Sequence, residues 1–178
     1  THSAYGFVGE VRHNADGQPY LKTHAITNIA WDEPTRALLE AHAPEGMVFS
    51  KLESLFGAAL TSAEVVIANR PAEDPRRGGV PPGHPALNAF LGIPIHHGDQ
   101  MVAMLGLANR PGGYDMALVD FLHPLLTTIG QLVSAARVQE THERALIELA
   151  RLSRVASETT NGVVITDKLG RIDWINEG

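Results

Sequence analysis

The sequence predicts an α+β fold with antiparallel strands, two short helices, a long C-terminal helix and a terminal β-hairpin. Three observations carry that expectation. Two pairs of short apolar runs are each joined by turn residues, two segments between them carry helix-start signals, and an apolar pattern of helical period runs from Asp115 to about Glu158.

Tyr5 to Arg12 mixes β-formers with Gly6 and Gly9, and Asn14-Ala15-Asp16-Gly17 supplies turn chemistry before Pro19 to Thr27, so the stretch reads as a hairpin. Asp32-Glu33-Pro34 places acidic residues and a proline where a helix N-terminus favours them. They open a short helix over Thr35 to Ala43, with Leu38, Leu39 and His42 on one face. Ser50 is the expected cap of a second helix, because Glu53 stands three residues on and Leu52, Leu55, Phe56 and Leu60 recur at helical spacing. Val65-Val66-Ile67-Ala68 is too short for a helix and reads as a buried strand. From Arg70 to Ala86 five prolines and the glycines 78, 79 and 83 forbid regular structure. A loop of that length in a compact domain is more often functional than idle.

Phe90 to Ile95 and Met101 to Ala108, joined by His97-Gly98-Asp99-Gln100, read as a second hairpin. Asp115 can cap the long helix, in which Leu118, Phe121, Leu122, Leu125, Leu126, Ile129, Leu132, Val133 and Ala136 are expected to hold one face. No Gly-Pro pair interrupts it before Ser157. Positions 122, 125, 129, 132, 136, 139, 143, 146, 150 and 153 keep 3-4 spacing, and although Gln139, Glu143 and Ser153 are polar, the pattern predicts a weak dimeric coiled coil. Asn161 to Asn176 reads as strand, tight turn, strand. A lone hairpin is marginally stable in water, so this tail is expected to begin a further domain.

Composition bounds the function. With 178 residues, 44% hydrophobic and 19% charged, the chain can bury the core of one domain of usual size. A net charge of -6 with scattered Lys and Arg argues against a nucleic-acid partner. No stretch approaches the roughly 20 consecutive apolar residues that span a bilayer, and Thr1-His2-Ser3-Ala4 lacks a signal pattern, so no membrane contact is expected. The absence of cysteine excludes disulfides, thiolate metal sites, thiol nucleophiles and a covalently linked bilin, and fits a reducing cytoplasm. No Ser-centred elbow, phosphate-cradling loop or paired-carboxylate cleft has usable spacing, so catalysis in this chain is not expected.

The wording of several segments resembles a bacterial subgroup of GAF domains. These are Ala4 to Glu10, Leu21 to Trp31, Gly83-His84-Pro85 with Phe90-Leu91-Gly92-Ile93-Pro94, and Leu105 to Tyr114; the resemblance covers about residues 3 to 137. It implies a central antiparallel sheet with helices on one face and a pocket closed by loops on the other. GAF-like methionine sulfoxide reductases depend on cysteines, which this chain lacks. Val155 to Gly178, with Asn-Gly, an apolar strand, Asp-x-x-Gly-Arg-Ile and Trp-x-Asn-Glu in succession, resembles the opening of a PAS domain. The expected organisation is a GAF domain over 1–137 with its first helix truncated, a signalling-helix linker over 138–158, and a PAS-like fragment over 159–178. In such proteins these modules sit upstream of a histidine kinase or a cyclic-di-nucleotide enzyme.

Six residues are candidates for a ligand site. Arg76 and Arg77 place two guanidiniums beside flexible backbone, an arrangement suited to a carboxylate or phosphate; the favoured alternative is that they pin the long loop. His84, in the loop expected to cover the pocket, could bind a ligand or orient a loop carbonyl. Asn109 and Arg110 are similar to the Asn-Lys pair that ends this strand in many GAF domains, including cyclic-nucleotide binders, with Tyr114 as the following aromatic. Tyr114 and Asp115 are adjacent here, so that match is partial and Asn109 and Arg110 are favoured as turn-shaping residues. His96-His97 with Asp99 offers ligand chemistry, but neighbours on a strand point to opposite faces, so no metal is expected. His142 in Thr141-His142-Glu143-Arg144 resembles a phosphoacceptor box in miniature yet lacks the Pro-Leu that follows it, and reads as an exposed coiled-coil residue. The functional expectation is a sensory input module that takes a small molecule or a partner and signals through a helical homodimer. The alternative is a dimerisation spacer without a ligand.

Overall fold

The computed structural model describes residues 1–27, 30–42, 46–80, 82–158 and 161–175, with the backbone alone for 38, 39, 41 and 42. The expected apolar face of Leu38, Leu39 and His42, the end of the first helix at Ala43, and Asn176-Glu177 of the PAS-like wording lie outside the described residues. The chain divides into two compact units, Thr1–Ser134 and Ala135–Gly178.

The first unit is a six-stranded antiparallel sheet in the order β3-β2-β1-β6-β5-β4. Strands β1 (Tyr5–His13) and β2 (Pro19–Ile26) form the first hairpin. Its turn is held by the Asn14 side chain, which accepts from the Asp16 and Gln18 amides at 3.0 and 2.8 Å. Strands β5 (Phe90–His97) and β6 (Gln100–Ala108) form the second, pairing His97 with Gln100 around a turn tightened to Gly98-Asp99. Strand β6 also pairs with β1, which joins the two hairpins into one sheet. Strand β4 (Val66–Ala68) closes one edge, and the two-residue β3 (Val48–Phe49), too short to leave a sequence signature, closes the other.

Helix α1 spans Glu33–His42, starting two residues before the sequence expectation because Asp32 caps it, accepting from the Thr35 amide and hydroxyl at 3.0 and 2.7 Å. Helix α2 spans Leu55–Ser62 and is capped by Ser54, whose hydroxyl accepts from the Gly57 amide at 3.1 Å. The expected cap at Ser50 therefore moves four residues on. Leu52 packs as part of the preceding turn, where its carbonyl lies against the α2 backbone at Gly57.

The strands alternate between two cores. Leu91, Ile93, Ile95, Ala103, Leu105 and Leu107 face helix α3 (Met116–Glu158) and pack on Leu118, Leu122, Leu126 and Val133. Phe7, Val11, Phe90 and Met104 face the other way, onto Leu55, Ala59 and Leu60 of α2. The resemblance implied helices on one face; here α3 covers one face and α2 the other. Asp115 does cap α3, accepting from the Leu118 amide at 3.0 Å. Pro124 lies inside the helix, which continues past it.

The expected single apolar face of α3 splits in two. Leu118, Leu122, Leu126 and Val133 are buried against the sheet, whereas Phe121, Leu125 and Leu132 are 76%, 53% and 64% exposed. Burying four such side chains is worth roughly 1.5–3 kcal/mol each, enough to fix which face turns inward. By length and composition α3 is also apolar enough to cross a membrane, and a third (33%) of that window is buried within the protein. Counting consecutive apolar residues missed this because polar residues interrupt the run.

In the second unit, the C-terminal part of α3 is followed by the hairpin β7 (Val164–Thr166) and β8 (Ile172–Ile175). Its turn is clamped by Asp167, which accepts from the amides of Leu169 and Arg171 at 2.8 and 3.0 Å and pairs with the Arg171 guanidinium at 2.7 Å. These contacts hold the Asp167 carboxyl below the usual carboxylate range. Val164, Ile165, Leu169, Ile172 and Ile175 are exposed.

Candidate functional site

The face of the sheet that carries α2 is hollow. A cavity of about 350 Å³ lies between the sheet, the start of α2 and the loop over residues 70–86. It exists because side chains are missing from the sheet there. Phe7 stands opposite Gly106 in the β1–β6 register, and a Cβ at Gly106 would fall 2.4 Å from the Phe7 ring. The ring therefore lies flat over bare backbone instead of standing off it. Phe49 stacks on Phe7 with centroids 4.9 Å apart and planes at 24°, and Phe56 meets Phe49 edge-on at 5.4 Å. Phe90 and Met47 complete an apolar wall.

The loop forms the lid. Gly78 presses so closely on the turn before α2 that a Cβ there would lie 1.7 Å from the Glu53 carbonyl. The Lys51 ammonium donates to the Gly78 carbonyl from the same side. Arg76 does not line the cavity: it donates to both Asp74 carboxylate oxygens at 2.9 and 2.8 Å and reaches the Ile67 carbonyl at 3.4 Å, which ties the loop to β4. Those bonds hold the Asp74 carboxyl below its ordinary value and raise the Arg76 guanidinium. Arg77 does line the cavity and donates to the Ala72 carbonyl.

His84 lines the mouth beside Tyr5, ring centroids 5.7 Å apart. Its Nδ1 lies 2.7 Å from the Pro85 carbonyl, which can only accept, so Nδ1 carries the proton and Nε2 of the neutral ring is an acceptor. Burial lowers the His84 pKa from the ordinary 6.5, opposed by the Pro85 hydrogen bond, so the neutral ring dominates at pH 7. Burial, with Tyr114 adding to it, pushes the Tyr5 phenol up to about 12, and its hydroxyl donates to the Ala86 carbonyl at 3.3 Å.

The other three candidates lie away from the cavity. Asn109, at φ 60°, accepts from the Asn88 and Ala89 amides at 2.7 and 3.2 Å and donates to the Ala86 carbonyl at 2.7 Å, fastening the end of the lid to the end of β6. Arg110 donates to the Gly113 carbonyl within its own turn at 3.0 Å. Tyr114 is buried, with its amide on the Asn69 side chain at 2.7 Å and its hydroxyl on Ser3 at 2.9 Å. Of the six candidates, the fold brings Arg77 and His84 to one cavity and distributes the rest as ties around it. Sequence reading missed the aromatic wall. The signal available for it was Gly6-Phe7 on one strand and Gly106 on another, and only the strand register connects them.

The family model for the GAF domain matches residues 1–134. A methyl sulfide methyltransferase-associated sensor from Methanosarcina acetivorans is 31% identical over 102 residues, which is 57% of this chain and 10% of that protein. The chain thus spans about a tenth of that relative's length. Among solved structures, the GAF domain of a phosphoenolpyruvate-protein phosphotransferase from Coxiella burnetii has a TM-score of 0.60 at 14% identity, covering 78% of this chain and 76% of that one. The GAF domain of a two-component sensor histidine kinase from Bacillus halodurans has a TM-score of 0.55 at 15% identity, covering 79% and 87%. At such identities the likeness concerns the fold alone. With three quarters of its length matched by the family model and the sheet, lid and long helix in place, the chain belongs to the GAF domain family.

Proposed function

We propose that this chain is a sensory input module, non-catalytic in itself, whose ligand occupies the cavity beneath the 70–86 lid and whose output passes through α3. The cavity carries the reading: an apolar hollow of about 350 Å³ is of ligand-binding size, and its half-buried aromatic wall is apolar surface that a ligand can take out of water. The names of the methyltransferase-associated sensor and the sensor histidine kinase agree with it. Native mass spectrometry of the protein from its own host is expected to show a bound small molecule lost on denaturation. A mass matching the bare chain in every preparation would remove the ligand from the proposal.

Transmission is proposed to run through a homodimer of α3. The exposed positions Phe121, Leu125 and Leu132 belong to the 3-4 series 121, 125, 128, 132, 135, 139, 142, 146 and 149, in which Leu146 and Leu149 are 52% and 63% exposed. The series replaces that through Leu122 and Ile129, which are taken up by the core. Cysteines placed singly at Leu146 and Leu149 are expected to cross-link, and those at Arg144 and Arg151 are not. The exposed series alone favours the second reading, a dimerisation spacer, should no ligand be found. The downstream partner in this proposal is a PAS-like domain beginning at the terminal hairpin, whose exposed apolar side chains await a larger fold, followed by a kinase or cyclic-di-nucleotide output. A cytoplasmic location fits the cysteine-free sequence.

A further inference from the structure

We infer that the cavity takes an aromatic monoanion, a one- or two-ring acid whose rings lie against Phe7, Phe49 and Phe56 and whose carboxylate meets Arg77 at the mouth. The inference rests on the cavity being a ligand site and names the chemistry it selects. A donor and acceptor inventory of the lining supports it. Among the described lining residues four have polar side chains: Tyr5, Ser54, Arg77 and His84. Tyr5 spends its proton on the Ala86 carbonyl. Ser54 accepts from Gly57 and donates to the Lys51 carbonyl at 2.7 Å, so its hydroxyl belongs to the helix cap. The Nδ1 proton of His84 goes to Pro85.

Arg77 is the exception. Of its five N–H donors, one nitrogen is engaged with Ala72 among the described residues, which leaves a planar fork of the kind that matches a carboxylate. Its side chain is exposed, so an anion placed there keeps part of its hydration and pays little for burial. No Asp or Glu lies among the described lining residues to oppose it. The ligand's polarity must therefore be lopsided, with charge at the solvent edge and an apolar body within. Ring faces rather than aliphatic chains fit the body best, because Phe7, Phe49 and Phe56 already pack ring on ring along this wall and Phe90 lines it too, so a ligand ring meets aromatic edges and faces. The acceptor Nε2 of His84, without a partner among the described residues, adds a preference for a ring hydroxyl or N–H beside the mouth. Nucleotides fit poorly, since one cation and no spare hydroxyl cannot satisfy a phosphate and a ribose together.

The test uses the full chain and three probes: naphthoate, its uncharged analogue naphthamide, and hexanoate, which has the single charge without the ring. Binding is followed by calorimetry and located by amide shifts at Phe49, Gly78 and Gly79. Naphthoate is expected to bind roughly tenfold or more tighter than naphthamide, as a charge-assisted hydrogen bond provides. Arg77→Gln, a change at an exposed side chain, is expected to abolish the preference while leaving naphthamide unaffected. Equal binding of naphthoate and naphthamide to the unaltered chain overturns the anion and leaves the cavity a ligand site. Hexanoate binding as tightly as naphthoate overturns the aromatic class. Failure of both aromatic probes to shift those amides overturns the inference, whereas the site itself falls only if native mass spectrometry also finds the chain bare.

Discussion

The two faces of the central sheet are built from alternate residues of the same strands, yet one is solid and the other hollow. Against α3, Leu91, Ile93 and Ile95 of β5 and Leu105 and Leu107 of β6 interdigitate with leucines of the helix. Against α2, the matching positions include Gly92 and Gly106, and the aromatic rings that fill in for them lie flat and leave space. The solid face stabilises the domain and anchors the start of α3. The hollow face holds its lid by hydrogen bonds together with the burial of Pro71 and Pro85. A change on the second face therefore need not dismantle the first, which is what the proposed sensory role requires.

The sharpest way to break this comparison is to truncate the solid face. Leu91 is fully buried in it, and Leu91→Ala is expected to cost about 2–5 kcal/mol in chemical denaturation. A loss under about 1 kcal/mol would mean that the α3 face is not the stability core. Next comes the hollow face, where Gly106→Ala thrusts a methyl into the Phe7 ring. A cost of about 1–3 kcal/mol is expected, with altered aromatic near-UV circular dichroism. Stabilisation would instead show that the ring has room to retreat and that the cavity is slack.

The lid ties rank third. Asn109→Ala removes three hydrogen bonds and leaves a Cβ residue at φ 60°, for an expected loss of about 1–2 kcal/mol and faster proteolysis near Arg77. Unchanged proteolysis would place the control of lid opening elsewhere. The smallest effect is that of pH. Because folding lowers the His84 pKa, the unfolded chain binds the proton more readily; the contribution is fully present above the ordinary 6.5 and is lost as pH falls below it. Thermal midpoints between pH 7.5 and 5.5 should fall less in His84→Asn than in the parent chain. Identical pH profiles would show that His84 does not sense the cavity's burial.

Local rules made much of the fold legible. Both hairpins were readable from Asn14 to Gly17 and from Gly98-Asp99, since turn residues act within a few positions, and so was the cap at Asp115. Where two signals competed, the choice lay in packing. Ser50 and Ser54 both offer a capping hydroxyl, and burial of Leu55, Ala59 and Leu60 selects Ser54. Along α3 the apolar residues cover more than one face, and sequence spacing alone assigned Phe121 and Leu125 to the same side as Leu122. Which of them turn inward depends on where the sheet lies.

The candidate site shows the same division. Residue chemistry singled out the 70–86 loop with Arg76, Arg77 and His84 and favoured a loop-pinning role for the arginines, a role Arg76 takes through Asp74 and Ile67. The aromatic wall was out of reach, since Phe7 and Gly106 lie far apart in the chain and meet only through the register of β1 with β6. Near-neighbour signals were enough for the hairpins, the long helix and the irregular 70–86 loop, whereas the two-residue β3 and the cap of α2 lay beyond them. Which face is hollow, which arginine lines it and which stripe of α3 stays exposed follow instead from pairings between distant strands.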